Sequence, residues 1–324
     1  MTEVNHKTGE TMAENKNFKT SIGGQALMEG ILMRGPKKQA IVCRTADGLV
    51  EKVEELKLIK DRYPVVGWPF IRGIVTFIDS MVKGMKALMY SAELLPEELQ
   101  EEDPIDRWIE KHFSAEKAAK IIIYVAVVLG IALSMFLFVF LPAFIVGFIK
   151  PIYNNMFLRN LTEGIVRIAI LLGYMRLCCC VSDVKRLFSY HGAEHKTIFC
   201  YEHGKELTVE NVRPESRFHP RCGTSFLLVV VIVIVLVNSV VKVTNTFGRI
   251  GCHLALLPVV VGISYEINRW CGLHDNRLSA VLSAPGKWLQ RWTTNEPDDS
   301  MIECAIRAME LVIPENEEDA AWGN

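Results

Sequence analysis

His219-Pro220-Arg221-Cys222-Gly223-Thr224-Ser225-Phe226-Leu227-Leu228-Val229-Val230-Val231-Ile232-Val233-Ile234-Val235-Leu236-Val237 joins two kinds of chemistry without a linker. Its first four residues are a His-x-x-Cys pair with metal-ligand spacing. The β-branched run from Phe226 to Val241 that follows is uncharged and suits a membrane span. Upstream stands His191-Gly192-Ala193-Glu194-His195. Histidines four apart share one helix face, one turn from each other. H-x-x-E-H is the pattern of the inverted zincins, whose histidines bind zinc and whose glutamate is the general base. The sequence therefore predicts a metal site held against a membrane.

Three further runs read as spans. Ile121–Ile149 is flanked by Lys120 and Lys150 and exceeds a ~30 Å hydrocarbon core. Asn160–Val181 is interrupted by Arg167, which can snorkel, and by Arg176, which is deeper and should face protein. Ile250–Ile267 carries His253 and ends at Glu266. Lys185, Arg186, Lys196, Lys205, Arg213, Arg217 and Arg221 crowd the connection 182–224. The opposite connections hold only Lys150, Arg159, Lys242 and Arg249. This asymmetry predicts a multi-pass protein of the cell membrane with both termini cytoplasmic.

The expected fold is a mainly α membrane protein, with about four transmembrane helices, a small amino-terminal β-rich cytoplasmic domain and an amphipathic carboxy-terminal tail. Residues 1–19 are polar and aperiodic, a disordered tail with no signal-peptide core. Residues 20–62 form the β-rich domain: Gln39–Thr45 is strand-like and Asp47-Gly48 signals a hairpin. Gly23-Gly24 reads as a tight turn, since no Gly-Lys-Ser/Thr follows to make a phosphate loop. Within 63–117, Ile71, Ile74, Val75, Ile78, Val82, Met85 and Met89 take one helix face and Arg72, Asp79, Lys83 and Lys86 the other. That helix either packs on the sheet or lies in the membrane interface, and packing is preferred. An acidic linker, Leu95–Asp106, follows. The bundle occupies 118–268 with its metal-site loop at 182–224, and 269–324 is a cytoplasmic tail closed by a docking helix at Met301–Leu311.

Thirty-six basic against thirty-seven acidic residues leave a net charge of −1, so no global field points to nucleic acid. Nine scattered cysteines, three of them adjacent at Cys178–Cys180, suit packing in a reducing compartment better than a disulfide framework.

The chain resembles the domain-of-unknown-function 1385 (YqhQ-like) family of bacterial membrane proteins. The resemblance rests on Gly23–Gly30 with Met33–Pro36, Arg72-Gly73, Tyr190–Lys196, Tyr201-Glu202 and His219–Phe226. It continues in Pro285-Gly286 with Trp288–Gln290, and Thr293-Thr294 with Glu296-Pro297; Lys287, where an apolar residue is expected, is a departure. It implies the membrane topology above and carries the label of a predicted metal-dependent enzyme, with no substrate attached.

Two functions compete. In a zinc-dependent membrane hydrolase, His191, His195 and either His219 or Cys222 would hold zinc, Glu194 would take a proton from bound water, and Arg221 or Lys196 would stabilise an oxyanion. Its substrate would be a membrane-buried peptide or a lipid-linked ester. Helical geometry sets Glu194 about 100° around from His195, which counts against that role. In a non-catalytic scaffold or assembly factor, His191, His195, His219 and Cys222 would close a structural zinc site. A third reading, transport along Arg176, His253 and Glu266, has few spans to support it.

Overall fold

The structure is a computed structural model that describes residues 18–56, 63–95, 115–149, 155–239, 243 and 246–322. The expected disordered tail (apart from its last two residues), the acidic linker between residues 96 and 106, and the side chain of His253 lie outside the described residues.

Strands β1 (Gly23–Leu27), β2 (Gly30–Arg34), β3 (Lys38–Thr45) and β4 (Gly48–Glu55) form an antiparallel sheet in sequence order. Asp47-Gly48 makes the β3–β4 hairpin, with Gly48 at φ +126. Gly23-Gly24 opens β1 and makes no turn; Gly24 pairs with Met33. The rest is helical: α1 (Ile71–Glu93), α2 (Ala115–Met135), α3 (Leu141–Gly147), α4 (Met156–Cys178), α5 (Ser182–Glu202), α6 (Gly223–Ser239), α7 (Thr246–Leu273), α8 (Arg277–Thr293) and α9 (Asp299–Glu310). A π-helical turn, Phe136–Phe140, joins α2 to α3 ahead of Pro142.

Tyr124–Gly147 is the one helix among the described residues that is long and apolar enough to cross a membrane alone. Helix α4 passes only together with α5, across a 98° bend, and Gly223–Val237 is a shorter apolar helix. That bend reverses the expectation for the two arginines of α4. The helix stops at Cys178, so Arg176 lies in its last turn and is exposed, where a cation suits the free carbonyls. Arg167 is instead buried, and its Nε–H donates to the Phe138 carbonyl at 2.8 Å, within the π-helical turn.

The core sits between the sheet and the helices around α5. Ile31, Met33 and Val42 pack on Tyr190, Ala193 and Ile198 of α5 and on Ile302, Ala305 and Met309 of α9. Helix α9 thus docks with the face its periodicity marks, capped by Asp298, which accepts from the Met301 N–H. The opposite sheet face, Leu27, Leu32 and Ile41, meets the end of α1 at Ala87 and Leu88. Helix α1 departs from expectation in how it packs. It buries Gly73, Gly84, Ala87 and Ser91 and pairs Asp79 with Arg34 at 2.5 Å, while Ile78, Met81, Val82 and Met85 face outward.

Ile302 is wholly buried between α5 and the sheet. Ile302→Ala should cost about 2–5 kcal/mol through the cavity it leaves. A clear drop in Tm of the detergent-solubilised protein is the expected outcome; an unchanged Tm would mean that α9 does not dock there.

Candidate metal centre

Helix α5 presents its histidines on one face, and each is held from behind. His191 Nδ1 lies 2.8 Å from the Thr293 carbonyl and His195 Nδ1 2.6 Å from the Arg217 carbonyl. A carbonyl can only accept, so both Nδ1 atoms donate and both Nε2 atoms face the site. Cys222, just before α6, brings its sulfur to 3.2 Å from His191 Nε2. One ligand atom from each of His191, His195 and Cys222 lies within 4.8 Å of the others. Ligands at zinc bond lengths stand about 3.4–3.8 Å apart in a tetrahedron, so small rotations would close the cluster. The Thr224 N–H and hydroxyl also contact the sulfur, at 3.4 and 3.2 Å.

The electrostatics suit ligation. Burial alone would push the Cys222 thiol up, but the charges of His191 and His195 outweigh it and hold the thiol well below its usual range. Burial would lower His191, yet the Cys222 sulfur beside it raises it to about 9. Sulfur and imidazole thus each favour the charged form of the other, and a cation entering the cluster would compete with the proton they hold.

Glu194 lies near enough to this cluster to feel the charges of His191, His195 and Cys222. Its carboxylate accepts from the Gly24 N–H, and burial raises it above the usual carboxylate range against the pull of His191 and His195. Its Oε2 is buried with no hydrogen-bond partner among the described residues. The glycine follows from this contact: a Cβ at Gly24 would come within 2.6 Å of the Leu32 carbonyl oxygen and 3.0 Å of the Glu194 carboxyl carbon. Further along, Glu29 sits in the β1–β2 turn at φ +50, where its carboxylate takes Arg186 in an ion pair and Tyr190 in a hydrogen bond of 3.2 Å. The stretch Gly23–Gly30 is therefore a brace along α5.

The tail supplies the other brace. Asn295 N–H donates to the Phe188 carbonyl at 2.8 Å, and a Cβ at Gly192 would run into the Asn295 carbonyl oxygen. Lys196 is buried, with Nζ 2.8 Å from the Arg213 carbonyl and 2.9 Å from Glu296.

His219 packs its ring on His195, with centroids 5.5 Å apart, but its Nε2 is engaged with Arg221 and Glu202 in an adjoining buried cluster. His219 Nε2 lies 3.2 Å from Arg221 and 3.6 Å from Glu202, and burial presses the imidazole down to about 4, so it is neutral. Arg221 forms an ion pair with Glu202, which also accepts from the Thr20 N–H at 2.7 Å. Glu266 is taken by Arg72. A residue that the sequence reading missed is Gln290, which is fully buried. It accepts from the His219 N–H and donates to the His219 carbonyl, both at 2.8 Å, fixing the backbone that leads to Cys222. The available signal was its place in line with Ser279, Ser283 and Gly286, a small and polar helix face. Gln290→Ala would leave both backbone groups buried and unsatisfied, at about 1–3 kcal/mol each. Amide exchange over residues 216–224 should quicken markedly in this variant; unchanged protection would show that the loop is held otherwise.

The model of a family described as a protein of unknown function (DUF1385) matches residues 68–315, which leaves the sheet before it and takes in every residue of the two clusters except Thr20 and Gly24. The chain is also 34% identical over 291 residues to a Bacillus subtilis (strain 168) protein described as uncharacterized protein YqhQ, a match covering 88% of this chain and 90% of that one. No solved structure matches.

Proposed function

The chain belongs to the DUF1385 family of proteins of unknown function, so its chemistry has to be read from its own site, and we propose that it is a membrane-embedded zinc-dependent hydrolase. The observation that carries this reading is the convergence of His191, His195 and Cys222 near a buried carboxylate oxygen of Glu194 that has no partner among the described residues. Two imidazoles and a thiolate favour zinc over magnesium or calcium, which prefer oxygen ligands. Three protein ligands leave a fourth position for water.

When bound there, zinc supplies a Lewis acid that acidifies a water and polarises a scissile carbonyl. The chain's own part begins with Glu194, whose free Oε2 takes the water's proton and returns it to the leaving group. Its raised proton affinity suits that exchange. Thr293 and Arg217 carbonyls orient the imidazoles. Arg221, engaged by Glu202, acts as a positioning residue for the loop that carries Cys222. The substrate class is a membrane-buried peptide or a lipid-linked ester.

Four spans, with the site and both termini in the cytoplasm, complete the proposal. The end of α4, the start of α6 and the end of α7 all meet the folded elements, as an even number of crossings requires. The basic connection 182–224 supports the orientation.

A scaffold or assembly factor with a structural zinc is the second reading. It draws on the near-complete burial of His195 and Cys222. Purified protein should hold one zinc per chain, lost in His191→Ala and in His195→Ala. Glu194→Gln keeps the ligands and removes the base: the hydrolase retains zinc and loses at least about 100-fold in rate, measured in cells by complementation of the deletion. Full function in Glu194→Gln would favour the scaffold, and zinc retained without both histidines would exclude the site.

A further inference from the structure

Three of the described helices are strongly amphipathic, and they do not pack alike. Helix α9 buries Met301, Ile302, Ile306 and Met309 and turns its charges outward. Helices α1 and α8 are inverted. Helix α8 buries Ser279, Ser283, Gly286, Gln290 and Thr293 with a single leucine, Leu289, and exposes Leu278, Val281 (66% exposed), Leu282 and Trp288. Helix α1 buries small residues and exposes Ile78 (55%), Met81, Val82 and Met85, with Trp68 and Phe70 exposed just before it.

Water is a poor partner for two such faces, at ~25 cal/mol for each Å² of apolar surface. Their position says what covers them. Both helices close on the first turn of α6, the apolar helix that begins at the metal cluster. Phe77 of α1 lies 5.9 Å from Phe226, ring to ring, and Gly286 of α8 lets that helix touch Ser225. Helix α1 is also tied to α7 by Arg72 and Glu266 and by Gly73 against Tyr265. The outward faces thus continue the exposed apolar surface of the helices proposed to cross the membrane. Exposed tryptophans and the exposed Arg277 and Arg291 at the two ends of α8 fit a headgroup layer.

We propose that α1 and α8 lie in the plane of the membrane interface, with their outward faces covered by lipid. Cys222 stands one helical turn before Phe226, about 6 Å along the axis. The metal cluster then sits at headgroup depth, where the scissile group of a membrane-anchored substrate would lie; that last step rests on the hydrolase reading, while the lipid contact does not.

The test uses the full chain with p-benzoylphenylalanine in place of Ile78, Val281 or, as control, Glu310 on the exposed face of α9. Each variant is reconstituted into vesicles of phosphatidylcholine and phosphatidylglycerol, irradiated and weighed by mass spectrometry. Lipid adducts at both Ile78 and Val281, several-fold above Glu310, are the expected result. Chain-to-chain adducts would mean that a second copy covers the faces, and adducts at either position no higher than at Glu310 would mean that the face is not in lipid; either overturns the proposal. Zinc content of the same samples reports separately on the metal site, and the Glu194→Gln variant on the hydrolase reading.

Discussion

Two backbone carbonyls hold the centre of this molecule. An imidazole can offer a metal either nitrogen, and a free side chain samples both tautomers. The Thr293 and Arg217 carbonyls remove that choice for His191 and His195 by engaging both Nδ1 atoms. Those carbonyls come from distant parts of the chain: one from the end of α8, the other from the segment leading to Cys222. The site therefore exists only when the tail has folded back over α5. The close approach of Asn295 to Gly192, and Lys196 reaching both Arg213 and Glu296, hold that fold-back in place.

The same constraint explains why the sheet is present. Its edge strand carries Gly24 to the Glu194 carboxylate and its first turn carries Glu29 to Arg186 and Tyr190. Helix α5 is then braced along two sides, by β1 and by the tail, while α9 backs the sheet. A buried carboxylate has to be compensated, and among the described residues Glu194 is hydrogen-bonded on one oxygen only. The second cluster, Glu202, His219 and Arg221, is fully paired by contrast, and it ties Thr20 near the amino end to the loop before α6.

Much of this was legible in the sequence, for reasons that differ by element. The β3–β4 hairpin followed from Asp47-Gly48, and α9 from its apolar periodicity, because local chemistry decides both. His191, His195 and Cys222 were legible as ligand types at ligand spacing. Which of His219 and Cys222 would join the histidines was not, since that depends on where Gln290 pins the intervening backbone. Periodicity identified α1 as amphipathic but could not say which face turns inward. Glycines at 73 and 84 decided it, by letting Tyr265 and Gln25 approach the helix closely. Arg176 and Arg167 exchanged roles because a sequence run does not reveal the 98° bend after Cys178.

The most direct test of the central claim is X-ray absorption at the zinc edge of the loaded, detergent-solubilised protein. The account predicts a first shell of two imidazole nitrogens at about 2.0–2.1 Å, one sulfur at about 2.3 Å and one further light atom. A shell of oxygen alone, a shell without sulfur, or one with a third imidazole would contradict it.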